Sequence, residues 1–336
     1  MHPTDVCNLA CKGCSYGQDE GIPLPVHYPL DAIYKALNLF KPVSVLLSGG
    51  GEPTLYKYGI NKFINEIIKF KTDSPWGNRP RLALITNGTY IPSGNWYKYL
   101  DWLRISIDAS TAETYLKHKS KNMFNTAIKS LKTYLALGIR WVGAGFVYSK
   151  WNYKEYVNFI EVIYDSITEY RERINIQFRP FWNDPPYISR GQQINNGDRD
   201  EIDKSLLDLL NRRPELITFL RNNTNVMSYR NDLSPVEDKA EFCYYARLYK
   251  MLRANGDIYP CCIGIMDKNM SLGNLLIDKK LRLSDGVYKK LPYCNPKDCR
   301  LYKRNNFVEP YYKLGNAQKL SDDVRKFVLK NLEGKI

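Results

Sequence analysis

No stretch of this 336-residue sequence approaches the ~18 uninterrupted apolar residues of a membrane-spanning helix, and its first residues lack the charged-then-apolar order of a secretory signal. These absences argue against membrane insertion and export, so a soluble, cytoplasmic protein with no membrane partner is expected. Internal repeats and low-complexity tracts are missing too, which argues against a solenoid. Acidic residues are in deficit, 35 against 49 basic ones, for a net charge of +14. The eight cysteines are confined to two groups, Cys7, Cys11, Cys14 and Cys243, Cys261, Cys262, Cys294, Cys299. In a chain of this size that clustering points to metal ligands rather than a disulfide frame.

With 44% hydrophobic and 25% charged residues, the chain can bury one large core, or a core plus a small appended domain. The charge is uneven. Residues 243–336 hold 19 Lys and Arg against 9 Asp and Glu, so they carry +10 and leave +4 for the rest. A basic region attracts something acidic, although lysines solvated on exposed helices would give the same count.

The first cysteine group has the spacing Cys7-x3-Cys11-x2-Cys14. Three thiols within eight residues can close around one soft metal centre, and three ligands leave a coordination position open for chemistry. A zinc knot completed by His2 or a distant cysteine is the competing reading. About 35 residues on, the apolar run Val43–Leu47 is stopped by Gly49-Gly50-Gly51-Glu52-Pro53, whose glycines permit close backbone approach. From there helix-like and strand-like segments alternate, which argues for parallel βα units. Helices are expected over 29–40, 57–70, 95–99, from about 115 through Leu137 to a cap at Gly138, and over 153–170. Strands are expected over 43–47, 81–86, 103–108, 140–147 and 174–180, which with one before Cys7 makes six. In the fourth, apolar Leu103, Ile105 and Ile107 alternate with Arg104, Ser106 and Asp108, a polar set that would face a barrel lumen or solvent.

The cysteine spacing followed by the glycine turn resembles the radical S-adenosylmethionine (SAM) enzyme superfamily. The resemblance implies a partial (β/α)6 TIM-like barrel, open because six units fall short of eight. It implies that Cys7, Cys11 and Cys14 hold a [4Fe–4S] cluster whose fourth iron binds SAM. Gly50, Gly51, Glu52 and Pro53 match the motif that holds the SAM amino group, and Ser106 and Asp108 match a strand that reaches its ribose and methionine end. Asn87, at the end of the third strand, joins this cofactor-binding set. Lys119 stands where relatives often have an Arg for the SAM carboxylate, keeping the charge without the planar fork; an exposed basic loop is the alternative. His118 could act as acid or base there, or be solvated. Gln177 and Arg179, ending the last strand, are substrate-facing candidates.

The later cysteines resemble the superfamily's auxiliary-cluster extensions, called SPASM with two clusters and twitch with one. Five cysteines suit one auxiliary [4Fe–4S] cluster, held by Cys243, Cys261, Cys294 and Cys299. Neighbours in an extended strand point to opposite faces, so Cys262 is the spare: a buried hydrophobe, or a hydrogen donor to a substrate radical. Whether Cys261 or Cys262 is the ligand stays open, and structural zinc is the competing metal. The expected domains are 1–182 (barrel), 183–240 (helical connector), 241–310 (twitch/SPASM-like) and 311–336 (C-terminal helix). The implied function is SAM cleavage and abstraction of a substrate hydrogen, leading to oxidation, epimerisation or bond formation on a peptide or a sugar-like or nucleotide-like metabolite, of anionic character if the basic charge has a ligand. An acidic electron donor such as flavodoxin or ferredoxin is the expected partner. Peptide-modifying members often carry an N-terminal leader-recognition domain; with six residues before Cys7 none is expected here, which leans only slightly toward a small molecule. An RNA-modifying or nucleic-acid-binding iron–sulfur protein is the alternative, disfavoured because basic charge supplies only nonspecific attraction.

Overall fold

The computed structural model describes residues 1–14, 16, 26–72, 77–181, 193–224, 242–262, 264–266, 268–283, 288–289 and 310. Five strands, β1 (Ser44–Leu47), β2 (Arg81–Thr86), β3 (Trp102–Ser106), β4 (Val142–Tyr148) and β5 (Ile174–Pro180), lie side by side in sequence order, every pair parallel. Helices α1 (Ile33–Phe40), α2 (Ile60–Lys69), α3 (Ala112–Lys119), α4 (Phe124–Ala136) and α5 (Tyr156–Ser166) lie between or beside them in the chain. Parallel neighbours need such crossovers, and their apolar stripes cover one face of the sheet.

The register sorts side chains by parity. Leu82 and Leu84, Leu103 and Ile105, Val142, Ala144 and Phe146, and Ile176 and Phe178 share one face, all with relative exposure of 1% or less. Phe178 stacks on Tyr156 of α5 with centroids 3.9 Å apart, and Phe146 meets Phe159 at 4.8 Å. The opposite, inner face carries Arg104 and Ser106 on β3, Gly143 and Gly145 on β4, and Gln177 and Arg179 on β5. Of the lumen-facing polar set expected for the strand at 103–108, Arg104 and Ser106 take this face, whereas β3 ends at Ser106 and Asp108 lies beyond it at φ 60°.

Two expectations need correction. No sixth strand precedes Cys7 among the described residues: Met1 exchanges two bonds with β1 and its flank, accepting from Ser48 N (3.1 Å) and donating to Leu46 O (2.8 Å), and Thr4 makes one isolated antiparallel bridge to His27. The expected helix through residue 137 is two helices, because Ser120 takes a left-handed φ of 65° and ends α3. Beyond β5, α6 (Asn196–Arg212) starts at a capping box between Asn195 and Asp198, and α7 (Leu216–Asn223) ends where Thr224 bridges Ile176 of β5.

Backbone contacts divide the chain into two units, Met1–Leu233 with Leu252–Gly256, and Ser234–Met251 with Asp257–Ile336. In the second, β6 (Phe242–Cys243) pairs antiparallel with Tyr288–Lys289, and Asp257–Tyr259 pairs antiparallel with Gly273–Asn274.

Candidate active site

The segment carrying the first cysteines is tied down by backbone bonds at each step. Thr4 O accepts from Gly51 N (3.0 Å) and Val6 O from Glu52 N (2.8 Å). Farther on, Ala10 N donates to Ser120 Oγ (2.9 Å) and Lys12 N to His118 O (2.8 Å), fixing the loop to the C-terminal end of α3. The glycine turn is packed against this segment. A Cβ on Gly50 would fall 1.9 Å from Asp5 Oδ1, and one on Gly51 would fall 2.0 Å from Val6 O. Gly13, at φ 69°, faces the Phe181 ring, which a Cβ would meet at 2.7 Å.

Glu52 joins the turn to the end of β2. Its carboxylate is buried and accepts from Thr54 N (3.1 Å), Thr54 Oγ1 (2.8 Å), Thr86 Oγ1 (2.6 Å) and Asn87 N (2.6 Å). Burial pushes its carboxyl above the usual range, against these bonds, which favour the anion. Three of the four bonds fall on Oε1 and one on Oε2, so Oε2 keeps acceptor capacity for a ligand ammonium. Asn87 continues the chain of contacts. Its Nδ2 donates to Asn8 Oδ1 (2.9 Å), Asn8 Nδ2 donates to Thr89 Oγ1 (2.8 Å), and Thr89 N and Oγ1 donate to Asn87 Oδ1. Asn8, Thr89 and Ser120 were not singled out from sequence. Their only signal is residue type, since Asn, Ser and Thr beside a motif can bond backbone and amide groups that a loop leaves open.

Asp108 and Lys119, expected only as separate cofactor contacts, form an ion pair in which Lys119 is buried and Asp108 largely so. Asp108 sits at φ 60° and also accepts from Val147 N at 2.7 Å. Burial alone would raise its carboxyl, but the Lys119 ammonium, the Val147 N–H and the Arg179 charge together hold it below the usual range. Burial would conversely lower the Lys119 ammonium, yet Asp108 and the Cys11 and Tyr115 charges leave it raised. Lys119 and His118 are 6% and 8% exposed, so the exposed basic loop is not what forms. His118 packs edge-on against Trp151, which in turn meets Phe181, and burial keeps its imidazole below the usual pKa. Gln177 accepts from Arg104 on the inner face.

Cys7, Cys11 and Cys14 are each half-buried. Burial pushes the Cys7 thiol up to about 11, and the charges of Glu52, Cys11 and Cys14 act in the same direction, so Cys11 and Cys14 lie within electrostatic reach of Cys7. Coordination to a soft cation reverses that shift, because it deprotonates a thiol outright. Among the described residues no three His, Cys, Asp or Glu gather closely enough to hold a single metal ion. A cubane spreads three thiolates over three irons, a wider arrangement, and the donor set fits it. His2, the imagined closing ligand of a zinc knot, is fully buried with Nε2 3.4 Å from Tyr16 Oη.

In the second unit, the strand Asp257–Tyr259 stops before Cys261 and Cys262, which occupy a bend and a turn. The expectation of opposite faces in an extended strand therefore loses its premise. Cys261 Sγ accepts from Gly264 N at 3.3 Å. Cys243 is paired in register with Tyr288, a different partner strand from that of Asp257–Tyr259. Cys294 and Cys299 lie outside the described residues.

The Radical SAM superfamily profile matches residues 1–163. Residues 1–163 are a radical SAM domain. No curated protein matches the sequence. Among solved structures, Streptococcus suis SuiB bound to precursor peptide SuiA has a TM-score of 0.59 and 16% identity, over 90% of this chain and 69% of that one. SuiB bound to S-adenosylmethionine gives 0.56 and 16%, over 84% and 65%. Native anSMEcpe with bound AdoMet gives 0.60 and 17%, over 90% and 87%. The chain thus spans about two thirds of the SuiB chains, and at these identities the likeness is one of fold. The radical SAM domain brings a [4Fe–4S] cluster and SAM, which when bound supply reductive cleavage of SAM to a 5′-deoxyadenosyl radical. The chain's own residues position the cysteine segment through Val6, Asn8, Ala10 and Lys12, and hold the Asp108 anion against a buried cation, Lys119.

Two outcomes are expected. Gly51→Ala drives a methyl into Val6 O and displaces the cysteine segment, so iron per chain should fall and the metal-free protein should lose about 1–3 kcal/mol in urea unfolding; unchanged iron content would show that the turn does not position the thiols. Asp108→Asn leaves Lys119 buried without its anion, and the metal-free protein should lose about 3–5 kcal/mol at pH 7. Because the folded carboxyl is held low, this contribution is present above its unfolded pKa of ~3.9 and lost as pH falls toward the folded value. The wild-type advantage should therefore shrink below pH ~4, and an advantage that is the same at pH 7 and pH 3 would count against the pair.

Proposed function

We propose that the chain is a radical SAM enzyme acting on a peptide, with Cys7, Cys11 and Cys14 as the ligands of the SAM-binding [4Fe–4S] cluster. The carrying observation is that the cysteine segment, the Gly50–Glu52 turn and the end of β2 form one bonded unit through Val6, Glu52, Asn87 and Asn8. That unit ties the segment carrying the three thiols to the turn whose Glu52 keeps acceptor capacity, which supports the reading. Gly50, Gly51, Glu52, Pro53, Asn87, Ser106, Asp108 and Lys119 form the SAM-binding set, with Glu52 taking the ammonium. A peptide substrate is favoured over a sugar-like or nucleotide-like one because SuiB bound to precursor peptide SuiA and anSMEcpe with bound Cp18Cys peptide share the fold. The reaction is of oxidoreductase or isomerase type. An acidic one-electron donor of the flavodoxin or ferredoxin kind suits the +14 charge and the exposed Lys12 between two thiols, and the setting is cytoplasmic.

In the second unit we assign one auxiliary [4Fe–4S] cluster to Cys243, Cys261, Cys294 and Cys299. The Gly264 N–H on Cys261 Sγ is the kind of bond that tunes a ligating thiolate. Cys262 is left as a candidate hydrogen donor to a substrate radical.

Anaerobic reconstitution with dithionite and SAM should give 5′-deoxyadenosine, increased by an accepted peptide. Replacing Cys7, Cys11 and Cys14 together with Ala should abolish it while leaving about four iron atoms per chain. Persistent SAM cleavage in that variant would refute the ligand assignment. Cys262→Ala should keep about eight iron atoms per chain, the content of two cubanes. A fall to about four would make Cys262 a ligand, and full iron with normal turnover would remove the donor role.

A further inference from the structure

The chain turns sharply where β3 ends. Gly145 O on β4 accepts from Ile107 N at 3.1 Å and again from Asp108 N at 3.2 Å, so two successive residues share one partner. As at a bulge, this halts the ladder and re-aims the side chain that follows. Asp108 takes φ 60°, in the left-handed region that residues with a Cβ rarely adopt and that Asp tolerates better than most. From there its carboxylate meets Val147 N and the Lys119 ammonium. A conformation of this kind persists only where its surroundings over-determine it.

The segment after β4 supplies those surroundings. Asn152 is 3% exposed, and its amide is used at both ends. Its Nδ2 donates to Asp108 O and to Val147 O, each at 2.9 Å. Its Oδ1 accepts from Ser149 N at 2.8 Å and Ser149 Oγ at 3.3 Å, inside a turn closed by Asn152 N on Ser149 O at 3.1 Å. A backbone N–H at one end and two carbonyls at the other leave this amide a single orientation. Three residues farther on, Glu155 accepts from Ser110 N (2.7 Å) and Ser110 Oγ (2.8 Å), so the chain is held at Asp108 and again two residues beyond it. Val147 takes part twice, with its N–H on the Asp108 carboxylate and its carbonyl on the Asn152 amide. Backbone and side chain of Asp108 are thereby fixed against one residue of β4.

We propose that Asn152 is a positioning residue of the SAM site: by bonding the carbonyls of Asp108 and Val147 together, it holds Asp108 left-handed and keeps its carboxylate on Lys119. This inference rests on the reading that Asp108 belongs to the SAM-binding set, and it adds the residue that acts through Asp108. Position 152 calls for an amide, because a carboxylate of the same shape cannot donate and a hydroxyl has one proton for two carbonyls.

The test uses the full-length chain, reconstituted anaerobically, with SAM affinity measured by equilibrium dialysis. Asn152→Asp should keep the iron content and weaken SAM binding about tenfold, the scale of one or two lost hydrogen bonds. In an Asp108→Asn chain the same change should alter affinity by a factor near unity, because the carboxylate it would misplace is gone. Unchanged affinity in Asn152→Asp would overturn the proposal, and so would a tenfold loss that persists in the Asp108→Asn chain. A second pair of variants reads the backbone directly and serves even if Asn152→Asp does not fold. Asp108→Gly and Asp108→Ala both delete the carboxylate, but only glycine takes φ 60° freely. In anaerobic urea unfolding of the reconstituted chain the Gly variant should have the higher midpoint. Equal midpoints, or a higher one for Ala, would show that nothing holds Asp108 left-handed. If the Gly variant is the more stable while Asp108→Asn leaves SAM affinity unchanged, the place of Asp108 in the SAM-binding set fails, and the role of Asn152 toward SAM fails with it.

Discussion

A carboxylate taken out of water at the end of a sheet is unfavourable unless donors take its lone pairs, and Glu52 meets that condition with four bonds from three residues of two strand ends. The rest of the site depends on it. With Glu52 fixed, its own N–H is aimed at Val6 O, which holds the chain one residue before Cys7. With Asn87 N bound, the Asn87 side chain is placed to hold Asn8, one residue after Cys7. One buried anion thus brackets the first thiol from both sides. This is second-layer work, orienting groups that would touch the cluster without touching it, which metal sites require of their surroundings.

The two faces of the sheet divide stability from chemistry. The covered face is apolar along β2 to β5 and packs on the aromatic rings of α5, so burial there supplies the cohesion. The inner face carries glycines and polar side chains, a composition that would be poor for a core. It is tolerated because the other face has already secured the fold, and the residues at the strand ends can then be chosen for what they bind.

Much of this was legible from order and spacing. The alternation Leu103, Ile105 against Arg104, Ser106 marked the inner face correctly, because a period of two leaves no freedom once the strand is known. The βα succession located all five described strands for the same kind of reason. What escaped was tertiary. Nothing local says that Lys119 meets Asp108, since the pair closes only when the end of α3 comes over the end of β3. The left-handed turn at Ser120 looked like helix because Ser carries no strong breaking signal, and its conformation is supported by the Ala10 N–H on its hydroxyl, a partner 110 residues away. The bend at Cys261 was hidden for a similar reason: Pro260 ends the strand sooner than the apolar run Ile258-Tyr259 suggested.

The glycines give the clearest case of a motif read rightly for an incomplete reason. Close backbone approach at Gly50 and Gly51 is real, but the first thing approached is the chain itself. The positions a Cβ would take are already filled by Asp5 Oδ1 and Val6 O, at 1.9 and 2.0 Å. A glycine-rich turn of this kind therefore acts on a ligand at one remove: it lets the cysteine segment lie flat on the end of β1, and the thiols follow. Gly143 and Gly145 repeat the device inside the sheet, where two absent side chains make room for Arg104 to reach Gln177. In both places the sequence leaves out atoms so that a residue distant in the chain can occupy the space, and the chemistry of the site is set by the residue that moves in.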